Sequence, residues 1–463
     1  MHAEVLIVGA GPVGLFLAGL LAARGQEVTV LERRERPREH SRAIGLHPPA
    51  LDALAVLGLD RAAVAEGLAV RRGIGEGDGR LLGEMTFERA HPRRPFVLTL
   101  PQSRTERLLA EHLERLAPGA LHRGVEVVEL DQPSNDDGGP VRVSVRPVGE
   151  SVAEAGAGDE VWTADVVVAA DGAHSTVRRL VGIGTDRMDW GDSYLMGDFT
   201  DRAGPYGHGA EPTAVIQLHR DGVIESFPLP GGQRRWVVHT GRQQRPERAG
   251  DLLALLRERQ GERRTVHTVM TGGAPQDAPE RSALPELPDP ATATMVRSFS
   301  VYRQLARRMV AGRTVLIGDA AHAISPIGGQ GMTLGWLDAL ALSPVLADLP
   351  SRRGPRDTPS LCGQKQVLIS ARKVDVAGGA GGAGRGAPAS GPLEDRPEFA
   401  AWERSRQRAA LRAARQAEVN MLLGRPLPAS VCRGRDGLAR GIMATPLRHR
   451  LARLYTMGWA GQP

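Results

Sequence analysis

The chain has 463 residues, more than one simple core accommodates, so two domains are expected. Its 59 Lys and Arg against 53 Asp and Glu leave a formal charge of +6 on scattered arginines. That suits solubility or an anionic small molecule and, with no nucleic-acid module signature, argues against nucleic acid as a partner.

The chain opens on a short apolar run, Glu4-Val5-Leu6-Ile7-Val8, that reads as a buried parallel strand. It enters Gly9-Ala10-Gly11-Pro12-Val13-Gly14, then an apolar helix from Leu15 to about Arg24, then a strand Glu27–Leu31 that ends in Glu32. Strand, glycine turn, helix, strand and acid in this order make a dinucleotide fingerprint. Gly9 permits the tight turn, Gly11 lets the backbone approach a pyrophosphate, and Gly14 lets helix and sheet pack closely. Glu32, with Arg33 beside it, is placed to accept hydrogen bonds from an adenosine ribose, and its charge argues against a 2′-phosphate there.

Three shorter motifs follow. Ser41-Arg42-Ala43-Ile44-Gly45-Leu46-His47-Pro48 precedes an amphipathic stretch from Ala50 to Leu59, and Arg42 suits phosphates or a ring face. Leu100-Pro101-Gln102-Ser103-Arg104 leads into a helical pattern over Glu106–Leu116. The strand Asp165–Ala170 closes on Asp171-Gly172-Ala173-His174-Ser175, with Arg178 just beyond. Taken singly, each is an ordinary turn, and Ser175 is an ordinary helix cap.

Between about 190 and 300 the texture changes to short extended runs, Thr213–Leu218, Gly222–Phe227 and Arg235–His239, parted by glycine and proline. These predict antiparallel strands. Tyr194, Met196, Gln217, His219, Phe227, Trp236 and His239 are the candidate site residues of this region, with no choice among them available.

Val315-Leu316-Ile317-Gly318-Asp319-Ala320-Ala321-His322, then Pro326 and Gly328-Gly329-Gln330-Gly331-Met332, form a second acid-bearing turn that runs into a glycine-rich helix start. Asp319 suits a ribityl chain, and the helix N–H groups suit the electron-rich edge of an isoalloxazine ring. With the N-terminal fingerprint, this points to FAD. Residues 350–396 are rich in Gly, Arg, Pro and Ala, read as a disordered insertion, and 397–463 reads as helical.

The order of these motifs resembles the class A flavoprotein monooxygenases, the para-hydroxybenzoate-hydroxylase-like aromatic hydroxylases, over roughly residues 4–350 and 399–426. The resemblance implies an α/β fold, with a Rossmann-like FAD-binding domain interleaved with a mixed or antiparallel-sheet substrate domain and followed by C-terminal helices. The implied boundaries are 1–75, 100–185 and 296–349 for FAD, and 76–99 and 186–295 for substrate. It implies Gly9, Gly11, Pro12 and Gly14 at the pyrophosphate and Glu32 at the ribose. Arg42 and Gln102 are implied at the flavin or elsewhere on FAD, and Asp171-Gly172 at FAD and the nicotinamide donor. It puts Gly318-Asp319 at the ribityl hydroxyls, and Pro326, Gly329, Gly331, Met332 and Thr333 at the flavin ring. Thr333 stands where the family has asparagine. The sheet of the substrate domain is implied to roof the flavin and shape the substrate pocket, with the candidates from Tyr194 to His239 to line it.

The implied reaction is reduction of FAD by NADPH or NADH, reaction with O2 to a C4a-hydroperoxide, and hydroxylation of a phenolic or polyketide-like aromatic. No metal and no named catalytic side chain are implied, and the expected assembly is a monomer or homodimer. A reductase of the same fold, or an impaired flavin- or ligand-binding protein, are the alternatives; the Trp-x-Trp-x-x-Ile-Pro signature of flavin halogenases is absent. Cys362 and Cys432 allow no disulfide framework or zinc spacing. No run of about 18 uncharged apolar residues offers a membrane span, and the start shows no secretory pattern. A cytoplasmic location is expected.

Overall fold

The first strand is apolar from Val5 to Val8 because both of its faces are covered: in His2–Val8, every residue from Ala3 to Val8 is buried, Glu4 included. A computed structural model describes residues 1–37, 43–77, 79–133, 139–149, 159–201, 211–242, 247–270 (side chains to 259), 285–349 and 391–460. Arg42 and most of the expected insertion, 350–390, lie outside the described residues.

His2–Val8 pairs in parallel with Val28–Glu32 on one side and Glu160–Ala169 on the other. Leu121–Arg123 extends the sheet beyond Val28–Glu32, and Thr314–Leu316 extends it beyond Glu160–Ala169, both in parallel. An antiparallel hairpin, Val125–Asp131 and Val141–Pro147, adds to the lower half of Glu160–Ala169. Helices Pro12–Ala22, Gln102–Leu116 and Gly331–Ala347 pack on the sheet, and their apolar faces join it in one large core. The strand ends at Val8, Ala169 and Leu316 are adjacent, so the three turns that follow them open on one edge. Ligands bind at that carboxyl edge in open parallel sheets.

The second sheet has eight strands in the order His322–Ala323, Met295–Ala306, Thr185–Thr200, Gln233–Gly241, Ile224–Leu229, Thr213–Leu218, Arg72–Gly77, Arg80–Thr86. Alternation along its strands separates two faces. Leu195, Phe199, Val215, Ile224, Trp236 and Val238 pack on Leu252 and Leu256 of helix Ala249–Met270. Tyr194, Met196, Val237, Met295, Phe299 and Val301 pack with Ile327 and Met421. Ile327 belongs to the loop before helix Gly331–Ala347, so this second face roofs that loop. A small sheet of Gly45–Leu46, Val97–Thr99 and Leu68–Val70 ties the two large ones, with Thr99 Oγ1 donating to Pro228 O at 2.7 Å.

Three helices, Pro397–Gly424, Ala429–Met443 and Leu447–Tyr455, complete the chain. The first packs on Gly331–Ala347 through Phe399, Trp402, Ala410 and Ala413. No helix among the described residues is long and apolar enough to cross a membrane.

Candidate functional site

The N-terminal loop is shaped by contacts that forbid side chains. Gly9 has φ +107°, and a Cβ there would come 2.5 Å from Ala170 O. At Gly14 a Cβ would stand 2.0 Å from Gly9 O, whereas at Gly11 it would meet nothing of the described residues within 4 Å. The loop is tight where it packs and open where a ligand would enter. Pro12 begins the helix, and Gly11 caps it without a side-chain bond. The first N–H groups therefore remain available to an anion.

Glu32 is buried, yet both of its oxygens are engaged. Oε2 accepts from Ala10 N at 2.9 Å, and Oε1 accepts from Arg34 N and Nε at 3.0 and 2.8 Å. Burial pushes its carboxyl up, but the Arg34 and Ala10 hydrogen bonds outweigh that and hold it below the usual glutamate range. Oε2 keeps a lone pair for a further donor. The arginine on Glu32 is Arg34, not Arg33, whose side chain is 66% exposed and 4.0 Å from Glu126. Two-residue alternation from Glu32 was the signal for this.

At the neighbouring strand end Asp171 Oδ2 accepts from the N–H groups of Thr176 and Val177 at 2.8 and 3.1 Å, and its Oδ1 is buried with no partner among the described residues. Gly172 turns the chain at φ +86°. Ser175 caps the short helix Thr176–Leu180 by accepting from Arg178 N. The Arg178 guanidinium, almost fully buried, donates to Ala173 O and, at 2.7 Å, to Ala320 O. One side chain thus fastens the Asp-Gly turn to the Gly-Asp turn.

Gly318 turns at φ +59° against Val13, and its N–H donates to Asp338 Oδ2 at 3.1 Å. The same Asp338, wholly buried in helix Gly331–Ala347, accepts from His322 Nε2 at 2.5 Å and from Arg406 Nε at 2.7 Å. Burial lowers the His322 imidazole, but the Asp338 charge and hydrogen bond overcome this and raise it. Burial likewise opposes Asp338 ionisation, and His322 with Arg406 reverses the sign. This triad props the Gly-Asp turn from behind; it went unseen in the sequence because Asp338 and Arg406 lie on different helices. Asp319 itself is solvent-accessible in the cleft, where the surrounding protein mass pushes its carboxyl up and His322 pulls it down.

Pro326 is exposed, and its carbonyl accepts from Gly329 N at 2.9 Å. Gly328 and Gly329 both have positive φ, +96° and +66°, which glycine alone tolerates cheaply. His47 Nε2 donates to Gly328 O at 2.8 Å, and burial pushes its imidazole down to about 4. The neighbouring Gly331, first in its helix, would bring a Cβ within 3.9 Å of Asp319 Oδ1. Met332 is buried, and so is Thr333, whose hydroxyl has no partner among the described residues. Gln330, part of the turn in the sequence but not picked out as a site residue, is 1% exposed, with both amide atoms unpartnered among the described residues. Gln102 starts its helix, with N–H on Ala43 O and Nε2 on Glu106 at 2.6 Å.

The roofing sheet sorts the cavity candidates. Tyr194 and Met196 face the loop, Tyr194 stacked on Phe299 with centroids 5.5 Å apart and edge-on to His239 at 5.1 Å. Phe227 shares that face by alternation, whereas Trp236 and Gln217 point to the other one. His219, buried just after its strand, accepts from Asp221 N.

The residues present fit a long bipartite cofactor. There is an open cradle at Gly11, uncapped N–H groups at two helix starts, and orphaned polar atoms on Asp171, Gln330 and Thr333. An accessible carboxylate lies between them.

Known proteins show the same organisation. The 6-methylpretetramide 4-monooxygenase of Streptomyces rimosus is 34% identical over 354 residues, 75% of this chain and 56% of that protein. The chain thus spans little more than half the length of this curated relative. Among solved structures, p-nitrophenol 4-monooxygenase PnpA of Pseudomonas putida DLL-E4 superposes with a TM-score of 0.73 at 21% identity, covering 100% of this chain and 99% of that one. OxyS anhydrotetracycline hydroxylase of Streptomyces rimosus gives 0.66 at 26% identity, covering 99% and 76%. Residues 2–357 match the family described as FAD binding domain; with its glycine cradle and paired acid turns at one sheet edge, the chain belongs to that family.

Proposed function

We propose that this protein is a monooxygenase that uses FAD, NADPH or NADH, and O2 to hydroxylate a small aromatic molecule of phenolic or polyketide-like character. The observation that carries the reading is convergence. The loops at Gly9, Asp171 and Gly318–Gly328 come from three distant parts of the sequence. They meet at one sheet edge beneath one face of a second sheet. The relatives named above support the reaction class.

When bound, FAD supplies the electron-transfer and oxygen-transfer chemistry, in the form expected from the sequence. The chain's residues bind, orient and shelter it. Gly9, Gly11, Pro12 and Gly14 cradle the pyrophosphate at a helix N-terminus, and the free lone pair of Glu32 takes a ribose hydroxyl. Asp171 and Gly172 shape the cleft between the halves. Gly318 turns the chain so that Asp319 faces the ribityl hydroxyls, while His322, Asp338 and Arg406 hold that turn. Pro326, Gly329, Gly331, Met332 and Thr333 frame the ring, and the uncapped N–H groups from Gly331 onward stabilise negative charge at its edge. Gln102, its N–H on Ala43 O and its Nε2 on Glu106, is the contact that the resemblance implies at FAD. The apolar inner face of the second sheet excludes water above the ring.

The test is anaerobic bleaching of the flavin in the purified full chain by NADPH or NADH, with phenols and polycyclic aromatics added in turn. Bleaching accelerated by one ligand class, with hydroxylated product on admitting O2, is the expected result. A colourless protein that fails to take up added FAD refutes the reading.

A further inference from the structure

The strand Ile224–Leu229 alternates strictly. Ile224 and Ser226 point to the helix side of the second sheet, with Ser226 Oγ accepting from Arg234. Glu225 therefore points to the side that roofs the flavin loop, flanked across the ladder by Ile216 and Val237. It is 8% exposed, and among the described residues its carboxylate has no hydrogen bond or ion pair.

The charged groups near it are already committed. Arg235 grips Asp198 through Nε and Nη2 at 2.6 and 2.7 Å, and His239 is bonded to Asp192, which also holds Arg425. Two phenols share its surroundings, Tyr194 from strand Thr185–Thr200 and Tyr455 from the last helix; burial raises both, and the charge on Glu225 adds to it. The Tyr194 hydroxyl is itself buried and, among the described residues, without a partner. Tyr455 lies edge-on to His47, centroids 5.8 Å apart, and His47 holds Gly328 of the flavin loop. Glu225 thus stands on the face of the sheet that meets the flavin loop, the face the proposed function gives to the substrate.

A buried carboxylate without a partner is costly, and burial pushes this one up to about 7. An unpartnered acceptor and an unpartnered hydroxyl in one apolar space are together satisfied by a single O–H group of a ligand. Resting on the hydroxylase reading above, we propose that Glu225 is the base that takes the hydroxyl proton of the aromatic substrate. The cleft accordingly admits neutral hydroxyaromatics and rejects aromatics bearing a carboxylate. In this step the substrate O–H bond breaks and its proton passes to a Glu225 oxygen. The electron pair stays on the substrate oxygen, which then accepts from the Tyr194 hydroxyl. The resulting phenolate is richer in electrons at its ortho and para carbons, where an electrophilic oxygen is received.

The test uses the FAD-loaded full chain, with 2-naphthol and 2-naphthoate as probes and flavin fluorescence as the binding signal. Wild-type protein is expected to bind 2-naphthol at least tenfold more tightly than 2-naphthoate above pH 7, with the gap closing as Glu225 is protonated at lower pH. Equal affinities, or no preference for the naphthol at any pH, overturn the proposal without any variant. In Glu225→Gln the preference is expected to disappear. Hydroxylation turnover falls about 100-fold or more, and the rise of kcat/KM toward pH 7 is lost. FAD content and the rate of bleaching by NADPH without ligand stay as in wild type. A Glu225→Gln protein that hydroxylates with the wild-type pH profile overturns the proposal while leaving the hydroxylase reading intact. Wild-type protein that prefers naphthol yet hydroxylates no aromatic overturns the reaction and leaves only the selectivity.

Discussion

Gly14→Ala and Gly11→Ala, three residues apart in one loop, are expected to fail in different ways. At Gly14 the added Cβ would lie 2.0 Å from Gly9 O and 3.2 Å from Ala170 Cβ, where contacts under 3.0 Å do not persist. Helix Pro12–Ala22 would have to withdraw by about 1 Å in a close-packed layer. The atom it meets is backbone, fixed by Gly9 N to Leu31 O at 2.7 Å and by the Ala10 bond to Glu32, so neither side yields easily. Overpacking of this kind costs ~1–3 kcal/mol, and the better helix propensity of alanine returns up to ~1 kcal/mol of it. The FAD-free Gly14→Ala protein should therefore unfold at a lower urea midpoint, by ~1–2 kcal/mol at unchanged slope. At Gly11 the backbone, φ −73° and ψ 177°, accepts alanine, and no atom lies within 4 Å. Its FAD-free stability should match wild type, while FAD titration shows an affinity about tenfold or more weaker, since the methyl occupies the approach of the pyrophosphate. A Gly14→Ala midpoint at or above wild type, or a Gly11→Ala protein with wild-type FAD affinity, refutes this reading of the loop.

The buried His47 should make the FAD-free protein acid-sensitive. Its folded-state value is lowered from 6.5 to about 4, so between those values the unfolded chain holds the extra proton. Stability is then complete above about pH 6.5 and falls as pH drops toward 4, by roughly 3 kcal/mol for this group. His47→Gln should flatten that part of a urea-midpoint-against-pH curve, and an unchanged slope would count against the assignment. Asp338→Ala leaves His322 and Arg406 buried without their counterion and should cost ~3–5 kcal/mol, seen as a lower unfolding midpoint. Because the His322 value is raised, the stability it contributes is present below its unfolded value near 6.5 and lost as pH rises through the folded one. A His322→Gln variant with the same loss at high pH would contradict this.

The amino-acid sequence by itself determined the features whose physics is local. The turns at Gly9, Gly172, Gly318 and Gly328 need positive φ, and Gly14 needs a close approach. Residue type alone announces such needs. The apolar run Val5–Val8 declares a two-face-buried strand wherever it is placed. Tertiary structure decided what depends on partners far along the chain. Alternation groups Tyr194 with Met196 and Trp236 with Val238. Only pairing with strands up to about 100 residues away sets which group meets Ile327 and which meets helix Ala249–Met270. For the same reason Glu225 reads in the sequence as one more polar residue of an antiparallel strand. Its isolation beside Tyr194 and Tyr455 exists only once a strand, a sheet and the last helix close around it. The Arg178 clamp and the His322–Asp338–Arg406 triad belong to the same class. Burial and hydrogen bonding to distant partners give these side chains their roles, and neither quantity is encoded in any single stretch of sequence.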